Sequence, residues 1–363
     1  MADVPPPDDR LARLRLIRTD KIGPVTYAQL IARFGSAEAA LDAIPRLAAR
    51  GGGRPPRIAA AEAVQREIER VEQLGARYLF RGLALYPPLL AAIDSAPPAL
   101  IVKGDVRLLD RPAVAMVGAR NASAAACRFA RQLAQGIGAA GPVVVSGLAR
   151  GIDSAVHDGS IDTGTIAVIA GGIDIVYPPE NAARQAAIAT RGLVVAEQPP
   201  GTEPRARHFP YRNRIIAGLS LGTVVIEAAP KSGSLITARQ AADYGRDVMA
   251  VPGSPLDPRA QGCNQLIREG AVLVQNAGDV LETVGPLYGR SAPSASFVAE
   301  PPAEDAGDAE RDALLRLMSP TAVPVDELIR QSDLPAAIVH TILLELELAG
   351  RLERHAGGAV SLA

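Results

Sequence analysis

The chain is 363 residues long, 48% apolar and close to neutral, with 38 Lys and Arg against 39 Asp and Glu. That length suits two or three domains with a substantial core, and the charge balance excludes a broad basic coat while leaving room for a local basic groove. No apolar run is long enough to span a bilayer, and Cys127, Cys263 and four histidines fit no CxxC or metal spacing, so the reading is a cytoplasmic protein with reduced thiols, no metal and no cofactor.

Residues 1–78 read as a small helical domain. Leu11, Leu14 and Ile17, then Tyr27, Leu30, Ile31 and Phe34, recur at helical spacing. The break between them, Ile22-Gly23-Pro24, is similar to a helix-hairpin-helix turn, although Pro24 removes one N–H donor. Gly51-Gly52-Gly53-Arg54-Pro55-Pro56 reads as a flexible loop, and Ile58 to Leu74 as a further helix.

From 79 to 287, short β-rich runs alternate with helical patterns. The candidate strands are Val114–Val117, Val143–Val145, Ile166–Ile169, Val194–Ala196, Val224–Ile226, Val248–Val251 and Val272–Val274. The alternation predicts an α/β domain with a doubly wound, mostly parallel sheet, whose ligands bind beyond the carboxyl ends of the strands. Residues 288–309 mix Pro, Ser, Ala, Gly and acids without periodicity and read as a linker. Residues 310–363 suggest a winged helix. Its candidate recognition helix, Pro335–Leu348, carries Glu345 and Glu347 and few basic residues, which favours protein contact over reading a major groove.

Four loops at strand ends are candidates for chemistry. Gly118-Ala119-Arg120 sits where a dinucleotide fingerprint would place its phosphate turn, but GxGxxG is absent. Ser146-Gly147-Leu148-Ala149-Arg150-Gly151-Ile152-Asp153 lets backbone N–H groups converge on an anion, and no Gly-Lys-Ser/Thr follows to support ATP hydrolysis. Asp153 and His157 lie at i,i+4, a pair that more often caps and hydrogen-bonds than catalyses. The third loop, Ala170-Gly171-Gly172-Ile173-Asp174, leads into Tyr177-Pro178-Pro179, a turn assigned mainly to structure.

The fourth places Arg205, Arg207, Arg212 and Arg214 around His208, Phe209 and Tyr211, followed by Lys231 and the loop Ser232-Gly233-Ser234-Leu235-Ile236-Thr237. Arginine forks suit phosphates. Rings interleaved with them suit the bases of a single strand. A solvated arginine loop with its aromatics in the core is the plain alternative. Convergence of all these loops on one face of the sheet favours binding.

These motifs closely resemble the DNA-processing protein A (DprA, or Smf) family. The resemblance runs in order from Val117-Gly118-Ala119-Arg120 through Ser146 to Asp153, Phe209-Pro210-Tyr211-Arg212-Asn213-Arg214, Ser232 to Ala238, and Val251-Pro252-Gly253 to Gly262-Cys263-Asn264, and covers roughly residues 80–285. It implies an extended Rossmann-like fold flanked by a helical N-terminal and a winged-helix C-terminal domain. It further implies a homodimer that binds and protects single-stranded DNA and loads the RecA recombinase onto it in natural transformation, without catalysis. On the matching positions, Arg120 holds a phosphate, Ser146, Gly147 and Arg150 surround the anion turn, and Phe209 stacks a base. Arg212, Asn213 and Arg214 grip the backbone, and Lys231, Ser232, Gly233, Ser234 and Thr237 complete the phosphate site. Ala119 departs from the hydroxyl residue common there.

The competing reading is a nucleotide phosphoribohydrolase on a related fold, suggested by Gly222-Thr223 and Glu227. The glycine-rich part of that active site is replaced here by Ala217-Gly218-Leu219-Ser220-Leu221.

Overall fold

The computed structural model describes residues 6–287, 305–355 and 357–363, which divide into two compact units. One holds residues 67–287; the other joins residues 6–66 to the chain from 305 onward. Most of the expected linker, 288–304, lies outside the described residues.

The first unit is built on a nine-stranded sheet. Its strands are β1 (Arg77–Phe80), β2 (Ala99–Gly104), β3 (Ala113–Gly118), β4 (Val143–Ser146), β5 (Thr165–Gly172), β6 (Leu193–Gln198), β7 (Gly222–Ile226), β8 (Asp247–Ala250) and β9 (Val272–Leu273). Their order is β1-β2-β6-β5-β4-β3-β7-β8-β9. The pairs from β6 across to β9 are parallel, whereas β1–β2 and β2–β6 are antiparallel. The central strands are buried on both faces, which explains their unbroken Val, Ile and Ala runs. One core layer gathers Ala115, Val117, Val145, Val168, Val195 and Ile215; the other gathers Met116, Val144, Ile152, Val156 and Val224.

The seven expected strands all appear, extended by β1 and β2, which the sequence pattern had not announced. The reason is local. An antiparallel edge needs no helical crossover, so no αβ alternation advertised Ala99–Gly104, which follows Pro97-Pro98. The strand order reverses at β3, with all strands here running parallel. Strands β4, β5 and β6 follow on one side and β7, β8 and β9 on the other, so a ligand crevice is expected beyond the ends of β3 and its neighbours.

In the second unit, helices Pro7–Arg18, Pro24–Phe34 and Ala37–Arg50 pack together, with Leu16, Leu30, Ile44 and Leu47 in their core. The C-terminal part is a winged helix. Helices Asp308–Arg316, Val325–Ser332 and Ala336–Leu348 lie with a small antiparallel sheet of β10 (Val323–Pro324), β12 (Ala359–Leu362) and β11 (Leu352–His355).

The Ala336–Leu348 helix is apolar on two sides because it serves two cores. Val339, Ile342, Leu343 and Leu346 face the winged-helix interior, while Leu344 and Leu348 join the N-terminal helices. The Gly51–Gly53 loop, expected to be flexible, is closely packed against it. A Cβ on Gly51 would lie 2.1 Å from the Glu345 carbonyl oxygen, and one on Gly53 2.3 Å from that of Ala349. Arg351 Nη1 donates to the Gly51 carbonyl at 3.1 Å. Asp305 binds both Arg33 and Arg50, and fully buried Glu345 takes Arg311 at 2.8 Å. The face a recognition helix would offer to DNA is thus occupied by this chain's own N-terminal helices.

Candidate nucleic-acid interface

A pocket opens beyond the carboxyl ends of β3, β4 and β5. Its walls come from Arg120 after β3, Gly147 to Arg150 after β4, Ile169 to Gly171 and Tyr177-Pro178 from β5 onward, Pro204, and Phe209 and Arg212 of the helix His208–Leu219. Two loops are zipped together at its base. Ile152 N donates to the Ala119 carbonyl at 3.2 Å, and Gly151, at φ +74°, lies so close that a Cβ there would approach that oxygen to 2.3 Å.

Arg212 is the floor of this pocket and is only 6% exposed. Its nearest carboxylate, Asp153, stands 4.0 Å away, and its Nε has no hydrogen-bond partner. Asp153 instead accepts from Ala149 N at 3.2 Å. Burial pushes the Arg212 guanidinium down to about 10 despite the attraction of Asp153, with Arg120 adding to the shift. Burial likewise raises Asp153 against the pull of Arg212. For both partners desolvation outweighs their mutual attraction, as expected of a buried pair without close contact. The couple is short of negative charge and hydrogen-bond acceptors, and an anion entering the pocket supplies both.

The rim is cationic and aromatic. Exposed Arg120 lies over the Phe209 ring, with Cζ 4.9 Å from the centroid, and Arg212 Cζ lies 5.9 Å from the same ring. Tyr177 meets Phe209 with centroids 5.8 Å apart at 58°. Arg150 is exposed and 3.6 Å from Glu180.

The remaining expected residues take other positions. Ser146 is fully buried and donates to the Met116 carbonyl at 2.7 Å, so it anchors β4 beneath the pocket and does not line it. Arg214 corrects the expectation of a paired arginine grip: it is 5% exposed, bound to Glu197 at 2.5 Å and to the Ser95 carbonyl. Positions 212 and 214 are about 200° apart around a helix and cannot share a face. Asn213 Nδ2 reaches the Gly233 carbonyl at 3.3 Å, tying its helix to the loop after β7. In that loop and the helix it opens, Lys231 and Gly233 are exposed, Ser232 caps the helix Gly233–Asp243, and Ser234 and Thr237 are buried; none lines the pocket. Asp153 and His157 are no couple: His157 pairs with Thr165 Oγ1 at 2.7 Å. Tyr177, which the sequence reading assigned mainly to structure, lines the pocket.

Glu227, the carboxylate of the hydrolase reading, accepts from Ser123 N at 2.8 Å and Ser123 Oγ at 2.6 Å. Among the described residues no group of His, Cys, Asp and Glu side chains is placed to hold a metal ion, and no helix is long and apolar enough to cross a membrane.

A sequence profile for the DNA recombination-mediator protein A family matches residues 77–285, which span all nine strands of the sheet. The chain belongs to the DNA recombination-mediator protein A family. A profile for the DprA-like N-terminal HHH domain matches residues 7–69, and one for the DprA winged helix domain residues 298–358. Among DprA relatives, the DNA processing protein DprA of Streptococcus pneumoniae is 48% identical over 54% of this chain and 70% of its own length. Protein Smf of Escherichia coli is 38% identical over 76% and 75%. The solved structure of the Streptococcus pneumoniae DprA aligns with a TM-score of 0.59 at 41% identity, covering 62% of this chain and 78% of that one. That of DNA processing protein A from Helicobacter pylori, described for its single-stranded DNA binding mode, aligns with a TM-score of 0.53 at 29% identity, covering 58% and 97%.

Proposed function

We propose that this protein binds single-stranded DNA through the pocket at the ends of β3 to β5, shields the strand and helps load the RecA recombinase onto it in recombination and transformation, acting as a cytoplasmic homodimer without catalysis. The observation that carries the binding reading is Arg212, buried and under-paired beneath a rim of Arg120, Phe209 and Tyr177. A buried guanidinium facing a cavity suits a phosphate, and rings beside it suit unstacked bases. The relative from Helicobacter pylori, described as binding single-stranded DNA, supports the same ligand. RecA loading and pairing of two copies come from family membership.

The hydrolase reading is disfavoured by Glu227. Its carboxylate holds the start of the helix Ala124–Ala139 through Ser123 and so is committed to structure. Anisotropy titration with fluorescent single-stranded and duplex oligonucleotides at two salt concentrations tests the binding reading. The expected result is salt-sensitive preference for the single strand. Equal binding to both, or base release from a nucleoside monophosphate, would overturn it. RecA loading is tested by whether the protein speeds RecA assembly on a pre-coated single strand.

A further inference from the structure

We propose that Tyr177 is the base-stacking platform of this pocket, and that Phe209 is the ring that backs it. The proposal rests on the single-strand reading above and assigns it a residue.

The rings in the pocket lining are Tyr177 and Phe209. Phe209 is half-buried, and its π-system already has two guanidinium groups within cation–π range, from Arg120 and Arg212. A base stacking on Phe209 would have to compete with them. Tyr177 is 46% exposed and touches Phe209 in a tilted contact, which leaves ring surface open to the pocket.

The backbone carrying Tyr177 is fixed in advance. Pro178 and Pro179 lock their own φ angles. Upstream, Ile175 N donates to the Gly172 carbonyl at 2.9 Å, Gln185 Nε2 donates to the Ile175 carbonyl at 3.0 Å, and Asp174 holds Gly201 N at 2.8 Å. A backbone held this way loses little freedom on binding, so more of the ring's stacking energy appears as affinity. Its ligand is an unstacked nucleobase of any identity, since every base has a π-face. Duplex DNA, whose base faces are stacked internally, does not supply one.

The chain contains no tryptophan, so Tyr177→Trp introduces a single indole at the site. Oligo(dT) is expected to quench its emission, and an abasic oligonucleotide of equal length and charge is not. Tyr177→Ala is expected to weaken binding of oligo(dT) roughly 5- to 150-fold and to leave the abasic oligonucleotide unaffected, while Tyr177→Phe keeps wild-type affinity. The side chain is nearly half exposed, so these variants fold, and circular dichroism confirms it. If Tyr177→Ala binds oligo(dT) as tightly as the wild type and Tyr177→Trp is not quenched, the platform lies elsewhere and the single-strand reading stands. If the wild type binds no single strand, both fall.

Discussion

A methyl group on Gly147 would lie 1.3 Å from Nη1 of Arg212 and 2.4 Å from its Cζ. The buried guanidinium therefore rests directly on the backbone of the loop after β4, and the glycine is what admits it. Gly147→Ala is expected to displace Arg212 from the floor of the pocket. Single-strand affinity should fall at least tenfold, with a stability loss of about 1–3 kcal/mol from overpacking. Chemical denaturation and anisotropy on the same sample separate the two effects.

Arg214 is expected to behave in the opposite way to its neighbour. Arg214→Ala removes the partner of Glu197 and should cost about 3 kcal/mol of stability, seen as a lowered urea midpoint. The folded fraction should bind single-stranded DNA as the wild type does. Reduced affinity at full folding would return Arg214 to the interface.

The contrast between these arginines shows where sequence reasoning stops. The motif Arg212-Asn213-Arg214 advertises charge but not direction, and only the helix around it decides that one side chain reaches the pocket and the other Glu197. The strand ends carrying Arg120 and Gly147 were legible because buried parallel strands have unbroken apolar runs and stop at glycine or serine. The place of Tyr177 in the pocket lining was not legible, since a Tyr-Pro-Pro turn looks the same in sequence whether its ring faces solvent or a pocket. The packing of Gly51 against Glu345 joins parts of the chain nearly 300 positions apart, which no local pattern encodes.

That packing has its own test. Gly53→Val places a branched side chain where even a Cβ meets the Ala349 carbonyl at 2.3 Å. Amide hydrogen exchange should speed up in both Ala37–Arg50 and Ala336–Leu348, because Leu344 and Leu348 share a core with Leu47 and Ile44. Faster exchange in one helix alone would mean that the two parts fold independently.

His157 predicts a pH effect. Burial pushes its imidazole from 6.5 down to about 3. Between those values the unfolded chain takes up a proton that the folded chain refuses, so stability falls as pH drops below 6.5, by up to about 1.4 kcal/mol per pH unit. Above pH 6.5 the contribution is flat. His157→Gln removes the titrating group, and urea unfolding at pH 7 and pH 5 should show a smaller difference in that variant than in the wild type.

The strand's phosphates are placed in the pocket that Arg212 floors and Arg120 rims, and Arg120 offers the cleanest test. This side chain is exposed and can be removed without disturbing the fold. Arg120→Ala, titrated with fluorescent single-stranded oligonucleotides over a series of salt concentrations, should bind all sequences more weakly by the same factor. Its log–log salt slope should be shallower by about 0.7, the loss of one phosphate contact. Wild-type affinity with an unchanged slope would place the strand on another face of the molecule.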